Sequence, residues 1–203
     1  MRKLIAILLA LALLPTMALA EFNTQALMQE EDFIVMMRPG SWDTLYCPMN
    51  QPYPGEAGDA WMDVSVDFVE LVDIDMTLVR VSVRVEVFDN LYADTITFTV
   101  GGKRYAFAVQ ADVFEYDGVY QETYDVCLTD ASLPFLKAIA QRKKDDPIPV
   151  EFLSGGQSVL TGRVVIPGDD AARIYDLFID LDGKSQDLKS VDGMWPCEIT
   201  KVK

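Results

Sequence analysis

Val79, Val81, Val83, Val85 and Val87 alternate without a break with Arg80, Ser82, Arg84 and Glu86. A period of two over this length fits only an extended chain, because successive strand side chains point to opposite faces. One face is apolar and one polar, so the sheet has a buried side and a wet side. That pattern favours antiparallel pairing over a parallel sheet covered on both faces. Upstream, Met62, Val64, Val66 and Phe68 alternate with Asp63, Ser65 and Asp67 in the same way.

Turn chemistry sets the register of the strands that follow. Gly101-Gly102 supplies the positive φ values of a two-residue hairpin. Pairing Val100 with Lys103 places Phe98 opposite Tyr105 and Ile96 opposite Phe107. All the large apolar residues of both strands then share one face, as a unique register requires. A second hairpin turns at Asp117-Gly118, joining 112–116 to 119–127. A third turns at Ser154-Gly155-Gly156-Gln157, between Ile148–Leu153 and Ser158–Ile166. Asp32–Arg38 and the stretch near Glu198–Val202 read as further strands.

Two helices come late. Asp130 or Ser132 caps the first, Pro134 fits its opening turn, and Arg142, Lys143 and Lys144 suit its C-terminal dipole. Asp169 and Asp170 open the second, Ile174, Leu177, Phe178 and Leu181 form its stripe, and Gly183 ends it. The expected architecture is α+β and β-rich. It is an antiparallel sheet, as a sandwich or partial barrel, with the two late helices packed on it. Residues 32–203 read as a single β-rich domain that includes an irregular Pro/Gly loop over 39–60. Residues 21–31 read as a mobile or short helical N-terminus.

The first twenty residues carry an address. Arg2 and Lys3 precede an unbroken apolar run from Leu4 to Leu14, and Ala18-Leu19-Ala20 gives a small–x–small cleavage pattern. This is the order of a secretory signal peptide over 1–20, and the run is too short to span a bilayer. The expected location is extracytoplasmic, secreted or periplasmic, with no stable membrane insertion after cleavage. Loss of Arg2 and Lys3 takes the formal charge from −15 to −17. A chain this acidic lacks the basic surface that nucleic acid requires.

Histidine is absent from the whole sequence. That removes Ser–His–Asp and Cys–His catalysis and every imidazole metal site. Three cysteines remain: Cys47, Cys127 and Cys197. In an oxidising compartment one bridge and one free thiol is the simple outcome. A Cys47–Cys197 disulfide is the favoured pairing, because both lie beside prolines in loop-like or strand-end settings.

The order of elements from Tyr124 to Leu177 resembles the C-terminal part of secreted proteins of the invasion-associated locus B type. Cys127 precedes a helix from Leu133 to Lys144, then come a hairpin and a second helix. The resemblance spans about a quarter of the chain, rests on no distinctive motif and carries over no functional residue. It implies a non-enzymatic secreted role.

Three constellations bear on chemistry. Asp180-Leu181-Asp182-Gly183 fails the calcium-loop pattern, because Phe178 and Lys189 fall at the first and last ligand positions. No metal site and no cofactor is therefore expected. Glycoside hydrolysis needs two carboxylates across a cleft; Glu115 and Glu122, which share a sheet face, are one such pair among the many acids, but the sequence names no pair over another and no catalytic residue is assigned. Trp42, Tyr46 and Tyr53 in the Pro/Gly loop, with Trp61 and Trp195 nearby, are the candidate binding residues, able to stack on sugar rings or anchor a protein. The expectation is a non-catalytic binding or interaction protein whose partner is a protein or a carbohydrate. The alternative is an extracytoplasmic glycoside hydrolase using a carboxylate pair.

Overall fold

The fold is that of a computed structural model of the chain, which describes residues 33–37, 44–71, 76–142, 145–180 and 193–202. Among the described residues, twelve strands join one antiparallel sheet that does not close. They are β1 (Phe33–Met37), β2 (Thr44–Pro48), β3 (Tyr53–Ala57), β4 (Ala60–Leu71), β5 (Met76–Val87), β6 (Thr95–Val100), β7 (Lys103–Ala108), β8 (Ala111–Tyr116), β9 (Val119–Leu128), β10 (Ile148–Ser154), β11 (Gln157–Val164) and β12 (Cys197–Lys201). Helices α1 (Leu133–Ala140) and α2 (Gly168–Asp180) flank the β10–β11 hairpin in sequence. Among the described residues, no helix is long and apolar enough to cross a membrane.

The sheet branches at β4. Its first half pairs with β3, from Ala57↔Ala60 to Tyr53↔Val64, and its second half with β2, from Tyr46↔Phe68 to Thr44↔Glu70. At the fork neither strand reaches Val66. There the Gln51 side chain takes the place of a strand: its Oε1 accepts the Val66 N–H at 2.5 Å, and its Nε2 donates to the Val66 carbonyl. Both backbone groups of a fully buried residue are thereby satisfied.

On one side of the fork runs β1–β2–β4–β5–β9–β8, and on the other β3–β11–β10–β6–β7–β12. The main core gathers the alternate residues of both. Met62, Val64, Val66 and Phe68 of β4 and Val79, Val81, Val83 and Val85 of β5 are buried, as are Ile96, Phe98, Tyr105 and Phe107 of the β6–β7 hairpin. Phe135 of α1 sits over that hairpin, with its ring 4.9 Å from Phe98 and 5.4 Å from Tyr105. Tyr124 meets Phe152 at 5.5 Å. Arg142, just after α1, donates to the Asp146 and Ile166 carbonyls and so ties the helix to the segment before α2.

The three hairpins turn where the glycines predict, and Val100↔Lys103, Phe98↔Tyr105 and Ile96↔Phe107 pair as the turn chemistry requires. Two expectations are corrected. The stretch 39–60 holds β2 and β3 instead of one irregular loop. Proline hides them: Pro48 ends β2, and Pro54 lies inside β3 where only β4 pairs with it. A proline costs nothing on a strand side that needs no donor. The Cys47–Cys197 disulfide is also absent, and no bridge joins any two of Cys47, Cys127 and Cys197. Cys47 lies on β2, beside β1, whereas Cys197 pairs in register with Phe107 at the far end of the strand order.

Candidate ligand groove

The polar residues of β4 and β5 form a matched ladder. Asp63 pairs with Arg84, Ser65 with Ser82 and Asp67 with Arg80. On the next strand, β9 adds Thr123 beside Arg84, Asp125 beside Ser82 and Cys127 beside Arg80. This face was expected to be wet, yet Asp63, Asp67, Arg80 and Ser82 are buried. The β1–β2 hairpin accounts for part of that cover, bringing Ile34, Met36, Leu45 and Cys47 to the same space. The result is a groove of about 460 Å³ with Asp112 of β8 on its far side. Both outer strands of this half of the sheet, β1 and β8, therefore line one groove.

Arg80 anchors its inner end. Its Nε donates to Asp67 Oδ1 at 2.9 Å and its Nη2 to Asp67 Oδ2 at 2.7 Å, a two-pronged contact. Nη1 reaches Asp125 Oδ2 at 3.2 Å. Burial works against the Arg80 charge, but the bond to Asp67 and the charges of Asp67 and Asp125 outweigh it and raise its pKa. Cys47 Sγ donates to Asp67 Oδ2 at 3.7 Å. Burial, aided by the Asp67 charge, pushes that thiol up to about 12. It is a neutral hydrogen-bond donor and no nucleophile at ordinary pH.

Nearer the surface, Arg84 Nη2 donates to Asp63 Oδ2 at 2.6 Å. Burial pushes the Asp63 carboxyl above the usual carboxylate range, against the bond from Arg84. The Arg84 guanidinium lies 4.7 Å from the centroid of the Trp61 ring. Its Nε is buried and has no hydrogen-bond partner among the described residues. The next row continues the face outward: Trp61 pairs with Glu86, Glu86 with Gln121 and Gln121 with Phe114. Trp61 and Phe114 are both exposed.

The residues singled out from sequence fall elsewhere. Tyr46 is buried on β2 and donates to Glu70 at 3.0 Å. Tyr53 is buried on β3 and donates to Asp170 of α2 at 2.9 Å. Neither ring is available at the surface, and Trp42 lies outside the described residues. Trp195 is half-buried against the core. Glu115 and Glu122 do share a face, as the register predicts, but only Glu115 reaches the surface. Glu122 is fully buried, accepts the Leu91 N–H at 2.7 Å and the Tyr124 hydroxyl, and so braces the segment before β6. Glu115 is exposed and pairs with Tyr120. Positions 181–183 of the calcium-like stretch lie outside the described residues.

Thiol chemistry checks the inner end of the groove. In the native protein Cys47 and Cys127, both buried, are expected to resist a thiol reagent at pH 8. Alkylation in denaturant without reductant is expected to add three labels per chain, read by intact mass. A product with one label only would mean a bridge and would refute the free-thiol arrangement.

No family model, no curated protein and no solved structure matches the chain. The groove stands on its own geometry.

Proposed function

We propose that the chain is an exported, non-catalytic binding protein that holds a small hydroxyl-rich ligand, such as the end of an oligosaccharide, in the groove. The observation that carries this reading is the polar ladder under an apolar cover, with exposed Trp61 and Phe114 in the next row of the same sheet face. The volume of about 460 Å³ falls within the range of small-molecule sites. Ser65, Ser82, Gln121 and Thr123 line it with neutral groups that both donate and accept. A ligand rich in hydroxyls gives and accepts at once, and its ring faces suit aromatic side chains. Export rests on the N-terminal pattern of residues 1–20.

The arrangement speaks for holding and against turnover. Asp63 is tied to Arg84, and Asp67 and Asp125 to one guanidinium, so the carboxylates serve the arginines. Calorimetric titration of the mature protein against a panel of neutral oligosaccharides tests the reading. Binding of at least one, abolished by Ser65→Phe in the floor of the groove, is the expected result. No heat with any of them would overturn the ligand class. Release of reducing ends would instead favour a hydrolase.

A further inference from the structure

We infer that the outer edge of β8 is a docking strand for an extended, basic segment of another protein, which adds to the sheet as an antiparallel neighbour. This goes beyond the groove ligand and stands or falls separately. Strand β8 is the last in the sheet order, and among the described residues no strand pairs with its outer side. Such an edge exposes a row of N–H and C=O groups, and proteins normally blunt it with lysine, proline, a bulge or a very short strand. Residues 111–116, Ala-Asp-Val-Phe-Glu-Tyr, contain neither lysine nor proline, and their pairing with β9 runs without a register shift.

The edge is apolar on both sides. Val113 on one face and Phe114 and Tyr116 on the other are exposed, and the Phe114 and Tyr116 rings stack at 5.9 Å. Tyr92, also exposed, lies beside Val113 around a shared surface hollow. An added strand would send alternate side chains to these two faces. Single exposed apolar residues are ordinary, but this group is contiguous and centred on an open edge.

Charge decides the occupant. From Tyr105 to Leu136 the chain has no lysine or arginine and six acids, among them Glu115 and Asp117 of the β8–β9 hairpin. A second copy laid antiparallel on β8 about Glu115 would put the two Glu115 side chains opposite each other, and like charges directly opposite are destabilising. A segment with lysines or arginines at alternate positions meets those acids favourably. The other outer strands lack this combination. Strand β12 follows Pro196 and ends in Lys201, and β1 carries no charge to select a partner.

Hydrogen exchange on the mature protein with a decapeptide of alternating lysine and valine tests the proposal. The peptide is expected to slow exchange across 111–116, and the variant Val113→Lys/Glu115→Lys to weaken its binding by about tenfold or more, with an unchanged unfolding midpoint. Ser65→Phe, which blocks the groove, leaves the peptide bound, so failure of one site is distinguishable from failure of the other. Equal protection by a glutamate–valine peptide would overturn the charge argument. A dimer that already protects 111–116 would identify a second copy as the occupant and overturn the proposal. Unchanged exchange across β8 would also overturn it.

Discussion

Arg80→Met is expected to lower the unfolding free energy by about 3–5 kcal/mol, because it strands a buried carboxylate without its counter-charge. Asp67 is 1 % exposed and both its oxygens are held by Arg80. Against a total of roughly 5–15 kcal/mol for a domain, that loss is severe. The double variant Asp67→Leu/Arg80→Met recovers most of it, since apolar residues of similar volume replace a buried pair at little cost. Asp125 tolerates the exchange because it is partly exposed to the groove. Urea unfolding followed by tryptophan fluorescence decides. A loss below about 1 kcal/mol in the single variant would place the pair in the range of exposed salt bridges.

Alkali is the second expected weakness. Burial raises the pKa of Cys47 to about 12, and it raises those of Tyr53 and Tyr124 further, with Asp170 and Glu122 adding to the effect. In the unfolded chain these groups ionise near pH 8.5–10. Above that point the unfolded state holds fewer protons than the native one, so stability falls as pH rises. Their contribution is intact below about pH 8.5 and declines by up to about 1.4 kcal/mol per pH unit for each group. Equilibrium unfolding between pH 8 and 11 is expected to steepen accordingly. Tyrosinate absorbance from Tyr53 and Tyr124 appears only with unfolding. The variant Cys47→Ala/Tyr53→Phe/Tyr124→Phe flattens the curve, and an unaltered slope would assign the loss to other groups.

Much of the sheet was legible because strand periodicity and turn glycines are local signals. The Gly101-Gly102 hairpin needed only its two glycines and the facing of Ile96, Phe98, Tyr105 and Phe107. Strands β2 and β3 were illegible for the opposite reason. Each is five residues long, a proline ends the first and lies inside the second, and their partner β4 supplies the order that their own sequences lack. The groove was half visible. Asp63, Ser65 and Asp67 on one strand answer Arg84, Ser82 and Arg80 on the next, a complementary pattern readable once the two are set antiparallel. What sequence periodicity cannot say is that a distant hairpin covers this face, because a polar row looks the same wet or roofed. The aromatic residues of the Pro/Gly stretch misled for a similar reason: Tyr46 and Tyr53 each bring a hydroxyl that finds a carboxylate, so they bury without penalty.

The Gln51 clamp on Val66 also bears on what the chain must avoid. Strand β4 is a ribbon with valines on one side and carboxylates on the other, and a slip of one residue would exchange the two sides. Asp63 and Asp67 would enter the core while Val64 and Val66 turned to the arginines. Backbone pairing alone tolerates such a slip, since every rung of a ladder looks alike to its neighbour. The opposite facing of valines and carboxylates does not, and the Gln51 clamp on the Val66 backbone then holds the fork between β2 and β3 at the height that this facing selects.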